Sequence, residues 1–123
     1  MDKLLILFLA FLALSSCGKV RRERMLQGDW QAVRVMEGDS ILPVPDSVIW
    51  LHFYENYTYR YEGTLKYEEA GHWRVKNHLL LVRDTLQAEP EERRMRIQKL
   101  TEDSLFLEMM DGGRKRLLVM GKR

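Results

Sequence analysis

Few side chains in this chain could do chemistry, and they are scattered. The one cysteine, Cys17, follows an apolar run, Leu4–Leu14, and the small pair Ser15-Ser16. With no second cysteine it has no disulfide partner, so its thiol is either a buried apolar group or an attachment point. The three histidines are His52, His72 and His78. No two share a metal-ligand spacing such as i, i+2 on one strand, which predicts no metal site. Asp84, Glu89, Glu91 and Glu92 gather around Pro90. Paired carboxylates do acid–base work only in a cleft that shifts their pKa, and a polar run beside a proline reads as a solvated loop. No serine sits in a nucleophile elbow and no glycine-rich loop is built to cradle phosphate. The expectation is a protein that is not an enzyme and carries no cofactor.

The eleven residues Leu4–Leu14 are uncharged and apolar throughout. A membrane-spanning helix needs roughly 20 such residues, so this run has the length of a secretory signal core instead. Removing the 16 residues before Cys17 from the 123-residue chain leaves 107, enough for one domain with a modest core. The leader holds one acid, Asp2, and one base, Lys3, so the chain's 20 basic and 18 acidic side chains fall to 19 and 17. Charges of both signs are interspersed, which argues against nucleic acid as a partner. Gly18 to Arg24 is a short basic stretch, read either as a flexible tether or as a contact for anionic head groups. The expected organisation is a leader over 1–16, a modified N-terminus and tether over 17–26, and a folded domain over 27–123.

From Gly28 the pattern is one of strands: β-branched and aromatic residues recur, with turn signals at short intervals. Eight strands are predicted, over 28–36, 47–54, 58–63, 67–75, 78–83, 94–100, 104–110 and 114–120, the fourth irregular near Ala70-Gly71. Pro43 and Pro45 mark a loop after the first, and Asp111-Gly112-Gly113 is a strong hairpin signal. Alternation places Ile49, Leu51 and Phe53 on one face. Tyr59 with Tyr61, Trp73 with Val75, Leu79 with Leu81 and Met95 with Ile97 continue that face, as do Leu105, Leu107 and Met109, then Leu117 with Val119. A sheet with so few large apolar groups per strand must close or pair. Short antiparallel strands joined by tight turns suit an all-β, up-and-down antiparallel barrel of about eight strands; a two-sheet sandwich is the competing arrangement. Trp50, Tyr54 and Tyr57 fall opposite the core face, either as a contact patch or as cross-strand support.

Two resemblances bear on these residues. Leu14-Ser15-Ser16-Cys17 resembles the lipobox of bacterial lipoproteins. That resemblance implies a lipid on Cys17, whose amine becomes the mature N-terminus, and hence a membrane partner and a place in the bacterial cell envelope. In some such proteins an acidic tract after the cysteine directs export to the cell's outer face. The basic stretch here implies instead an outer-membrane protein facing the periplasm. Gly28-Asp29-Trp30 matches the Gly-x-Trp signature of lipocalins and of bacterial lipocalin-like lipoproteins. Phe53, the Tyr59 and Tyr61 alternation, Gly71-His72-Trp73, Leu79-Leu80-Leu81 and Ile97 to Leu105 resemble later strands of the same group. The resemblance implies that Trp30 plugs one end of the barrel and that a basic residue of the last strand, Arg114 or Arg116, packs across it.

The expected function is binding of a small apolar or amphipathic ligand or lipid, with Phe53, Tyr59, Tyr61 and Trp73 lining the interior. The alternative is a barrel filled by its own side chains that binds another envelope protein. A void of roughly 300 Å³ or more separates the two. Independently of the barrel, cells fed a fatty-acid probe should label the wild-type chain and not Cys17→Ala; an unlabelled wild type contradicts the lipid-anchor reading.

Overall fold

The structure, a computed structural model, describes residues 18–43, 49–63 and 67–123. Cys17 and the leader lie outside the described residues. Residues 18–26 form a helix, α1. Nine strands follow: β1 (Gly28–Glu37), β2 (Ser40–Leu42), β3 (Trp50–Phe53), β4 (Thr58–Glu62), β5 (Glu68–Lys76), β6 (Leu79–Asp84), β7 (Glu92–Leu100), β8 (Ser104–Asp111) and β9 (Arg114–Lys122). Every pairing is antiparallel, and β9 pairs back onto β1. The result is a closed eight-strand barrel of β1 and β3–β9. The short β2 extends the sheet beside the far half of β1, where β3 does not reach. Closure leaves no long open edge, which meets the need inferred from the thin apolar faces.

Tight turns set the register. Asn77 takes a positive φ of 55° between β5 and β6, and Gly112 and Gly113 take 60° and 79° between β8 and β9, as two-residue hairpins require. The strand through Ala70 and Gly71 runs without a register shift, contrary to expectation. Gly71 has another role: a Cβ there would lie 1.7 Å from the Arg83 carbonyl oxygen, so no side chain fits.

Two strands present the opposite face from the one expected. In β6 the inward residues are Leu80, Val82 and Asp84, and in β9 they are Leu118 and Met120. Both segments are apolar at four consecutive positions, Leu79–Val82 and Leu117–Met120, so alternation carries no information there. The turn at Asn77-His78 settles β6 by pairing Val75 with Leu80. Pairing with β8 settles β9: Leu107 faces Leu118 and Leu105 faces Met120. Leu81 consequently lies on the outer wall, yet it is buried; its register neighbours are Arg74 and Arg94.

The basic stretch expected as a tether is helical, and it packs. Leu26 is completely buried and Glu23 nearly so. Near the helix, within two residues of the strand ends on this side, lie the fully buried Trp30, Phe53, Leu80, Leu105 and Met120. Trp30 donates its indole N–H to the Leu26 carbonyl at 2.8 Å. The Lys122 ammonium lies 5.3 Å from the centre of the Trp30 ring and donates to the Met25 carbonyl at 3.3 Å. A cation at a helix C-terminus and over an indole face is favoured on both counts. The basic residue across Trp30 is therefore Lys122, not Arg114 or Arg116. Antiparallel pairing places Trp30 opposite Lys122 and Glu37 opposite Arg116, at the other end of the barrel. Gly28, with φ 128°, makes room for this crossing: a Cβ there would lie 2.7 Å from Lys122 Cε.

Among the described residues, the core runs from Leu26 to Met120. Truncating Leu26 to alanine removes a fully buried side chain and should cost about 2–5 kcal/mol, read as a drop in the urea midpoint. A loss under about 1 kcal/mol would mean that α1 is not part of the core.

Candidate functional site

The barrel is filled at the α1 end and hollow at the other. The hollow end lies beside the β1–β2, β4–β5, β6–β7 and β8–β9 connections. It holds a cavity of about 430 Å³. Its apolar lining comes from Val35 on β1, Ile49 and Leu51 at β3, Val82 on β6, Met95 on β7 and Leu118 on β9. Met109 on β8 and Arg116 on β9 complete the far wall, and the exposed Tyr67 and Met110 stand at the mouth. The volume is within the usual range for small-molecule sites, roughly 300–1,000 Å³.

A carboxylate lies in this apolar wall. Glu69 on β5 is 3% exposed. Tyr67 donates its hydroxyl to Glu69 at 2.5 Å, Tyr59 donates at 3.3 Å, and the Arg93 guanidinium of β7 stands 3.1 Å away. The carboxylate is thus both ion-paired and hydrogen-bonded, which a buried charge requires. Asp84, also buried, accepts from the backbone N–H of Leu86 at 3.0 Å and of Ala70 at 3.4 Å, fixing the start of the β6–β7 connection. A side pocket of about 140 Å³ between Tyr59, Glu69, Asp84 and Arg93 extends from the main cavity toward Glu91 and Glu92.

The phenols respond to this setting. Burial pushes the Tyr59 hydroxyl well above its ordinary pKa of 10.0, and the negative charges of Glu69 and Asp84 push it further, against Arg93. Burial also raises Tyr61, with Glu69 adding to it. Tyr67 is raised chiefly by its hydrogen bond to Glu69. These hydroxyls therefore stay protonated and act as donors.

The four residues expected to line a ligand site separate into two pairs. Tyr59 and Tyr61 are in the cavity wall. Phe53 and Trp73 are not: they pack edge to face in the filled half, 5.5 Å between ring centres, and the Trp73 indole donates to the Tyr54 carbonyl at 3.2 Å. Alternation gave all four an inward face but not a level along the barrel axis. Arg116 is at the cavity rather than at the plug, with its Nε 3.7 Å from Glu37. Sequence reading missed Glu69, Arg93 and Lys122. The signal for Glu69 was present, since it alternates inward with Gly71, Trp73 and Val75, but a glutamate at an inward position reads as a solvent-facing residue.

The other candidates lie outside the cavity. His72 and His78 are exposed. His52 is on the outer wall, 2.7 Å from Asp29, and stacks between Trp50 and Tyr54 at ring distances of 5.8 and 6.4 Å. The aromatic residues opposite the core face thus form a stack along one strand and its end, not a cross-strand pair. Tyr57 joins the plug by donating to Glu23 at 2.7 Å. Glu89, Glu91 and Glu92 are exposed, and Glu92 pairs with Arg74 at 3.0 Å.

Solved structures place this barrel in a known class of folds. The chain is similar to a crystal structure of a lipocalin-like protein from Bacteroides uniformis, at 19% identity and a TM-score of 0.61, over 80% of this chain and 99% of that one. It is similar to an uncharacterized protein from Bacteroides eggerthii at 15% identity and a TM-score of 0.62, over the same shares. No protein-family profile and no curated protein sequence matches the chain. The fold is lipocalin-like: an all-β closed barrel of eight antiparallel strands with one helix.

Because Tyr59 titrates above its unfolded value, its contribution to stability is complete below pH 10 and is lost as pH rises through its folded value. Unfolding free energy should fall as pH climbs above 10, and Tyr59→Phe should make that fall shallower. An unchanged slope in the variant would place the Tyr59 hydroxyl outside the buried network.

Proposed function

We propose that this protein is a membrane-anchored lipoprotein whose barrel binds a small apolar or amphipathic ligand in the open-end cavity. The observation that carries the reading is the 430 Å³ void itself, which a barrel filled by its own side chains would lack. Leu51, Val82, Met95 and Leu118 offer apolar surface for a tail. Each buried CH₂ is worth about 0.8 kcal/mol, so a tail of several carbons supplies useful affinity. The Tyr61 hydroxyl and the Glu69–Arg93 pair offer polar contacts nearer the mouth. The reading is of a carrier or sensor and not of an enzyme.

The anchor belongs to the same reading. Helix α1 is described from Gly18, one residue after Cys17, and it caps the filled end. A lipid on Cys17 would hold the filled end toward the membrane and leave the mouth at the opposite end. In the envelope, lipids and their breakdown products are the nearest abundant ligands of this chemistry.

Native mass spectrometry of protein purified without its anchor should show a co-purifying small molecule, and a fluorescent long-chain probe should bind the emptied protein. Met109→Trp, which fills the cavity from its wall, should weaken probe binding at least tenfold, since the tail loses the surface it would bury. A probe that binds the wild type and this variant equally would contradict the proposed site.

A further inference from the structure

The outer wall of β5, β6 and β7 carries a one-sided charge that neither the barrel core nor the cavity needs. Arg74 and Lys76 on β5, Arg83 on β6, and Arg94 and Arg96 on β7 are all exposed. Register sets them side by side in rows across the strands. One row is Arg74, Leu81, Arg94; a second is Lys76, Leu79, Arg96; a third is His72, Arg83, Glu92. Neighbouring strands are about 4.8 Å apart, so these cations form a compact patch. Only Arg74 is neutralised locally, by Glu92 at 3.0 Å. The nearest acid on β8, Glu108, pairs with Lys115 of β9 at 3.4 Å. Lys76, Arg83, Arg94 and Arg96 have no ion-pair partner among the described residues.

The wall of β3 and β4 is unlike this. On β3 and β4, Arg60 pairs with Glu62 and Glu68, and His52 with Asp29. The whole chain has a formal charge of only +2, so the patch is a segregation of charge and not an overall excess. Beneath it, Leu81 is buried and Leu79 half-buried. Arginine stems covering such a strip hold their guanidinium groups outward, where they can take phosphates in a planar, bidentate manner.

We propose that the outer wall of β5–β7 docks on an anionic phospholipid surface. The exposed cations of α1, Lys19, Arg21 and Arg24, add to the same sign of charge at the filled end of the barrel. Docked this way, the β5–β7 wall and the filled end both face the head groups. The inference is separate from the cavity reading and does not require the Cys17 lipid.

The test uses the full chain carrying Cys17→Ala, and sedimentation with vesicles of phosphatidylcholine alone or with one quarter phosphatidylglycerol. Binding is expected only to the anionic vesicles, and it should weaken as salt shortens the reach of the charges to about 10 Å at 0.1 M. At roughly 1 kcal/mol per basic residue near such a surface, the triple variant Arg83→Glu, Arg94→Glu, Arg96→Glu should lose about a hundredfold in partitioning. Its melting temperature should stay near wild type, since all three side chains are exposed. The variant Arg21→Glu, Arg24→Glu should lose less. The proposal is overturned if the triple variant binds as wild type does, or if only the helix variant loses binding. It is equally overturned if neither vesicle binds while polyglutamate does, because the patch then fits an acidic protein.

Discussion

The barrel depends on what happens around Trp30. The indole is fully buried, its N–H is satisfied by the last carbonyl of α1, and its face is covered by Lys122 from the last strand. Three separate parts of the chain meet there: the helix, the first strand and the last. A large aromatic surface is removed from water without leaving a polar atom unpaired, which is the condition for such a group to stabilise a core. The Lys122 ammonium also answers the unsatisfied carbonyls at the helix end. Because the β1–β9 pairing closes the sheet, the contact that plugs the barrel lies on the seam that makes it a barrel.

The hollow end follows from the same economy of side chains. A small eight-strand barrel has just enough interior for its side chains to fill. Here the bulkiest residues are concentrated at one end, where Trp30, Phe53, Trp73 and the leucines of β8 interlock with Leu26. The other end is lined by aliphatic, methionine and tyrosine side chains and an inward glutamate, with no tryptophan or phenylalanine among its lining residues. A carboxylate buried in an apolar wall needs partners, and Tyr59, Tyr67 and Arg93 supply them. Holding those groups in place keeps the end from collapsing onto itself. The cavity is thus bordered by a rigid polar network on the β5–β7 side and by apolar surface on the β1–β3 side.

Much of this architecture was readable in the residues. Alternation in Ile49–Phe53, Tyr59–Tyr61, Met95–Ile97 and Leu105–Met109 gave the correct inward face, and Asp111-Gly112-Gly113 gave the last hairpin. Gly28-x-Trp30 pointed to the plug. The errors have physical origins. Runs of four apolar residues in β6 and β9 have no alternation to read, so only cross-strand register decides their faces. The helix was hidden because residues 18–26 hold few apolar positions, and Leu26 and Glu23 become buried only by docking on the barrel. Arg116 and Lys122 sit on the same strand and differ only in their level along it, which antiparallel pairing with β1 fixes. The same loss of axial information put Phe53 and Trp73 in the cavity when they belong to the plug.

The central claim is that one half of the barrel is packed and the other is a binding chamber. Methyl-resolved NMR during titration with a fluorescent-free long-chain ligand tests it directly. The account predicts shifts at Leu51, Val82, Met109 and Leu118, with Leu26, Leu105, Leu107 and Met120 unmoved. Shifts centred on the second group, or saturating binding that moves neither, would contradict it.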